Sequence, residues 1–126
     1  MTPVRHRVSG AELSFKLADE MEVVREELRS PSGRVARTLV KLGPLRVTLV
    51  GIGAGGALSE HSSPGPVTIH VLEGAIEVVT RENNWSLAAG ELLMLDGGVA
   101  HAVDSASGSF FLLTVATSAS DLPPTA

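Results

Sequence analysis

The chain carries four histidines, at positions 6, 61, 70 and 101, and fourteen Asp and Glu residues. Imidazole serves as a ligand for zinc, iron, nickel or copper, or as a general base working near neutral pH. Cysteine is absent, which removes disulfides, thiolate metal sites, iron–sulfur clusters and cysteine nucleophiles together. Any metal would therefore be held by imidazole and carboxylate.

The elements that must position these groups are read from composition and periodicity. At 126 residues the chain is one ordinary domain, long enough to bury a core and too short for two. It is 44% hydrophobic and 19% charged, a globular profile, and with only Phe15, Trp85, Phe110 and Phe111 as aromatics the core must be aliphatic. Leu13, Leu17, Met21, Val24 and Leu28 recur at three- or four-residue intervals and predict a helix over residues 9–28. That stripe would face a core or a second copy of the chain. Ser9 with Glu12 offers a capping box, and the Pro31-Ser32-Gly33 stretch a stop.

From Val35 onward the texture changes to short β-branched runs, and ten of the thirteen glycines fall between positions 43 and 98. Strands are predicted over 35–42, 45–52, 58–61, 67–72, 75–80, 85–87, 91–95, 100–103 and 110–116. Gly43-Pro44, Glu73-Gly74, Asn83-Asn84, Gly90 and Gly97-Gly98 supply the reversing turns. So many short strands imply a small antiparallel sandwich or barrel, with Val47, Leu49, Leu93, Leu95 and Leu113 among its buried aliphatics. Alternation from Val67 puts Ile69 and Val71 on its face and turns Thr68 and His70 to the other. The division expected is an N-terminal extension with the helix over 1–34, a barrel over 35–117 and a frayed tail over 118–126.

Charge narrows the partners. Residues 1–50 hold nine Lys and Arg against six Asp and Glu, and residues 51–126 one against eight, so the halves carry +3 and −7. The basic residues stand singly, without the clustering or aromatic interleaving that phosphate tracking and base stacking need, which argues against nucleic acid. The most apolar stretch, Val47 to Leu58, is short and contains four glycines, so no membrane span is expected. With no leader pattern at the start, a cytoplasmic protein is the expectation. Gly51-Ile52-Gly53-Ala54-Gly55-Gly56 lacks the Lys-Ser/Thr of a phosphate loop and reads as a flexible strand connection.

Two stretches resemble the paired motifs of the cupin superfamily. The first runs Glu60-His61-Ser62-Ser63 through Val67 and His70 to Gly74, and the second runs Gly90 through Asp96-Gly97-Gly98 to His101. The family's first motif is His-x-His, a Glu four residues on, then an apolar strand ending in Gly; its second is Gly, five residues, Pro-x-Gly, two residues, His. The resemblance implies an all-β fold, an antiparallel double-stranded β-helix or jelly-roll barrel with an N-terminal helix, of the small single-domain type. It sets His61 and His101 at two metal-ligand positions, with Ser63 and Val67 where the second His and the Glu would stand, so the metal motif is incomplete. It also implies a homodimer, and a common cavity in which Ser63, Val67 and Ile69 line the ligand pocket.

What these groups would do stays open between two classes. In one, the pocket binds a small organic ligand, or a weakly held divalent ion such as Zn, Fe, Mn or Ni, through His61 and His101. In the other, that metal activates a small oxygenated substrate, as in cupin dioxygenases, isomerases or decarboxylases, with Ser63 positioning substrate or water. A metal-free barrel with one His as general base is a third route. With Val67 in place of a carboxylate, a bound cation would be less neutralised and would favour an anionic ligand. Glu60, Asp96 and Asp104 are the nearest carboxylates in sequence, and alternation turns Glu60 and Asp104 away unless a bulge intervenes.

Overall fold

In the computed structural model, residues 6–29 and 31–117 are described. In chain order they form α1 (Leu17–Glu27), β1 (Arg34–Leu42), β2 (Leu45–Ile52), β3 (Gly56–His61), β4 (Val67–Thr80), β5 (Asn84–Ala88), β6 (Leu92–Leu95), β7 (His101–Ser105) and β8 (Ser109–Ala116). The tail expected over 118–126 lies outside the described residues.

Strand β4 holds the two layers together. Its first half pairs with β8 and β6, and β8 continues through β2 to β1; its second half pairs with β5 and β7, and β7 continues to β3. Every pairing is antiparallel, and the two layers close into a jelly-roll barrel. Here the expected reversal at Glu73-Gly74 is corrected: the chain does not turn back but bends through one continuous strand. A register shift between Val71 and Glu73 and the positive φ of Gly74, +78°, make the corner. A β-carbon on Gly74 would overlap the Gly108 carbonyl oxygen, so the corner also needs the missing side chain.

Alternation sorts the apolar residues onto two faces. Val50, Ile52, Val67, Ile69, Val71, Ile76, Val78, Leu93, Leu95, Val103 and Phe111 fill the space between the layers, with Leu113 packed against them. Val47 and Leu49 belong to a second cluster on the outer face of the β1–β2–β8 layer, where Leu39 and Phe110 meet the helix. The expected core residues are thus split between two clusters by strand parity.

The helix is shorter than its apolar stripe suggests, starting at Leu17 rather than near Ser9, with Lys16 as its N-cap and no side-chain cap. The Ser9–Glu12 capping box does not form because that segment is committed elsewhere. Val8 accepts a backbone hydrogen bond from Lys41 at 2.7 Å, and His6 Nε2–H donates to the Thr38 carbonyl at 2.9 Å, which lays residues 6–8 along β1. His6 is therefore tied down, with Arg37 Nη2 donating to its Nδ1 at 2.8 Å and Phe15 in T-shaped contact with its ring. Leu17, Met21, Val24 and Leu28 still face the sheet. Arg25 secures the far end, with both Nη groups donating to Glu73 at 3.0 and 3.2 Å and its guanidinium over Phe110. The hydrogen bonds to Glu73, then to Glu22, raise the Arg25 pKa. Among the described residues no helix is long and apolar enough to cross a membrane.

Candidate functional site

His61 and His101 meet because β3 carries one extra residue. Leu58 pairs with Val103 and His61 with His101, so three steps along β3 match two along β7. Regular alternation from the inward-facing Leu58 would have turned His61 outward; the irregularity between them returns it to the face of His101. A bulge does occur next to Glu60, then, but the side chain it brings in is the imidazole, and Glu60 remains exposed.

The two rings stand with centroids 4.4 Å apart and planes at 59°. His101 is only 1% exposed. Its Nδ1–H donates to the Val99 carbonyl at 2.9 Å, and His61 Nδ1–H donates to the Ser59 carbonyl at 2.8 Å. Each ring is thus held by the backbone two residues upstream and keeps Nε2 for another partner, the arrangement that orients a metal-binding or ligand-binding imidazole. Thr80, paired with His101 on the other side, continues the row, its hydroxyl donating to the Asn83 carbonyl.

The remaining family positions do not supply ligands. Val67 and Ile69 are 2% and 0% exposed and belong to the aliphatic core. Ser63 is half-buried, and its carbonyl accepts from Gly98 N–H at 2.8 Å, joining the loops of the two motifs. Asp96 Oδ1 accepts from the Gly97 N–H, and Asp104 is exposed. Among the described residues no three or more His, Asp or Glu side chains gather as a cation site. Two imidazoles with a valine in the carboxylate position do not fit the four-ligand metal centre of the cupin motif.

Open space lies to one side of the expected pocket. A cleft of about 470 Å³ runs between the β1 and β3 edges, with Arg34 and Thr48 on one wall, Ser59 and His61 on the other, and Leu58, Leu113 and Val115 between them. None of Ser63, Val67 and Ile69 lines it. β1 and β3 are the two ends of the strand order and do not pair with each other, and Arg34, Ala36 and Thr38 have inward parity yet remain exposed. Arg34 bridges the gap, its Nη1 donating to the Ala57 carbonyl at 3.1 Å.

Arg34 has no place in either motif; the sequence signal for it was a cation alternating with Ala36 and Thr38 at the start of a strand. Trp85 lines a separate groove with Thr80, Leu95 and Val99. His70, half-buried on the outer face in register with Leu92 and Leu112, stands apart from the imidazole pair.

No protein-family profile matches the sequence, and no curated protein matches it. Solved structures do. A conserved protein of unknown function from Streptococcus pyogenes is 22% identical, with 93% of each chain covered and a TM-score of 0.69. A cupin superfamily protein from Desulfitobacterium hafniense is 16% identical over 91% of this chain and 100% of that one, with a TM-score of 0.73. A cupin-2 domain containing protein from Shewanella frigidimarina is 17% identical over 81% and 93%, with a TM-score of 0.65. The β4 corner, the two-layer closure and these likenesses together identify the chain's fold as that of a small cupin.

Proposed function

We propose that the protein is a small-molecule binding module whose ligand enters the cleft between β1 and β3. The observation that carries this reading is the pairing of an open cavity of about 470 Å³ with one backbone-fixed imidazole, His61, on its wall. That volume falls in the range of roughly 300–1,000 Å³ usual for small-molecule sites. Leu58, Leu113 and Val115 would take the apolar body of a ligand, while His61 Nε2 and the Thr48 and Ser59 hydroxyls would set its orientation. His101 would act one place behind, packing against His61 and limiting its movement. The missing third and fourth metal ligands favour binding over the metalloenzyme alternative.

The test is a ligand-observed NMR screen of small organic acids, amides and alcohols against the wild type and an Ala36→Trp variant. Ala36 is exposed at the cleft edge, so the indole fills the space without entering the core. Hits that bind the wild type and are lost in the variant, at an unchanged melting temperature, are the expected result. Hits indifferent to the indole would refute the cleft. A tightly held stoichiometric metal in protein purified without an affinity tag, lost together in His61→Ala and His101→Ala, would favour the metalloenzyme.

A further inference from the structure

We infer that the cleft selects small carboxylates with an apolar body, and that Arg34 is the group that binds the carboxylate; this rests on the binding role proposed for the cleft. Among the described residues, Arg34 is the one permanently charged side chain on the cleft wall, and no Asp or Glu lines it. Two arginines at the helix are neutralised, Arg25 by Glu22 and Glu73 and Arg37 by Glu20. Arg34 makes no ion pair among the described residues. Its single hydrogen bond there, from Nη1 to the Ala57 carbonyl, holds the guanidinium across the gap between the two edges.

A guanidinium has five N–H donors, and one bond to a carbonyl leaves the others for a ligand. A carboxylate matches that planar fork with two parallel charge-assisted bonds, which an amide or alcohol does not. The chain is acidic overall at −4, with the part from β3 onward at −7 and the part that carries Arg34 at +3. A cation on an apolar wall, with no carboxylate among the described residues lining it, favours a negatively charged ligand there. Leu58, Leu113 and Val115 next to it favour an acid with a hydrocarbon portion over a fully hydrated inorganic anion.

The probes are hexanoate and hexanamide, alike in shape and different in charge, titrated into the full chain with binding followed through the amide resonances of Thr48, Ser59 and Leu113. Hexanoate is expected to bind at least about tenfold more tightly, the difference a charged hydrogen-bonded pair makes, and to weaken as sodium chloride is raised. Arg34→Met should bring hexanoate to within about twofold of hexanamide, while Arg34→Lys retains part of the preference because it keeps the charge without the fork. Unchanged hexanamide binding in Arg34→Met shows that the cleft is intact without the Ala57 bond. Equal affinities for the two probes in the wild type, or an undiminished preference in Arg34→Met, would overturn the carboxylate assignment and leave the cleft standing as a binding site. Binding of neither probe would overturn both.

Discussion

The helix is seated on a glycine, and that seat can be measured. Gly51 lies in β2 between Val35 and Phe110, with an ordinary extended backbone that alanine accepts. A β-carbon there would lie 2.6 Å from Val24 Cγ1, 3.0 Å from Phe110 Cε1 and 3.1 Å from Leu28 Cδ1. Apolar carbons pack best at about 3.5–4.0 Å, so the helix would have to lift by about 1 Å. Overpacking of this kind costs about 1–3 kcal/mol, and replacing glycine within a strand returns about 0.5–1 kcal/mol, for a net loss centred on about 1 kcal/mol and reaching about 2.5 kcal/mol.

Val24 is 0% exposed, the one fully buried residue of α1. Val24→Ala removes two buried carbons and should cost about 2 kcal/mol, counting transfer and cavity together. In the double variant the new methyl at position 51 occupies the space that Val24 Cγ1 leaves. The two losses should then fall short of additivity by about 1–2 kcal/mol, against the roughly 0.3–0.5 kcal/mol scatter of independent sites. Urea unfolding of the four proteins, with equal m-values as the check on a shared denatured state, reads this directly. Strict additivity would refute the seating of Val24 on Gly51.

Two further substitutions test other features of the barrel. Ser109 is buried at the start of β8, and its hydroxyl has no hydrogen-bond partner among the described residues, so Ser109→Ala should stabilise the protein by about 1 kcal/mol; a clear loss in thermal unfolding would show that the hydroxyl has a partner. Gly74→Ala and Gly90→Ala both place a side chain at positive φ, +78° and +90°, but only the first meets backbone, at Gly108, while the second meets open space. Gly90→Ala should cost about 1–2 kcal/mol and Gly74→Ala clearly more, and equal losses would mean that the corner is held by conformation alone.

Much of the barrel was legible because strand periodicity is local. The runs at 35–42 and 45–52 match β1 and β2 to within a residue, and the alternation of Val67, Ile69 and Val71 against Thr68 and His70 matches their burial. The misreadings share a cause. Glu73-Gly74 has turn chemistry, yet the same positive φ serves a bulge when the next residues find a new sheet to join. Ser9-x-x-Glu12 has capping chemistry, yet a backbone bond to Lys41 and the His6 contact with Thr38 claim the segment first. In each case a contact distant in sequence chose between two conformations that the local residues allow.

The candidate site divides along the same line. Sequence alone determined the supply of chemistry: four imidazoles, no thiol, a valine where a carboxylate ligand would stand, and motif spacing that singles out His61 and His101. Tertiary structure alone decided that an extra residue in β3 turns His61 toward His101. It alone decided that Val67 and Ile69 are sealed in the core, and that the open space lies at Arg34. The physical reason is that a side chain's type is written in its own residue, whereas the face it occupies depends on register, and whether that face is covered depends on which strand the other layer brings opposite it.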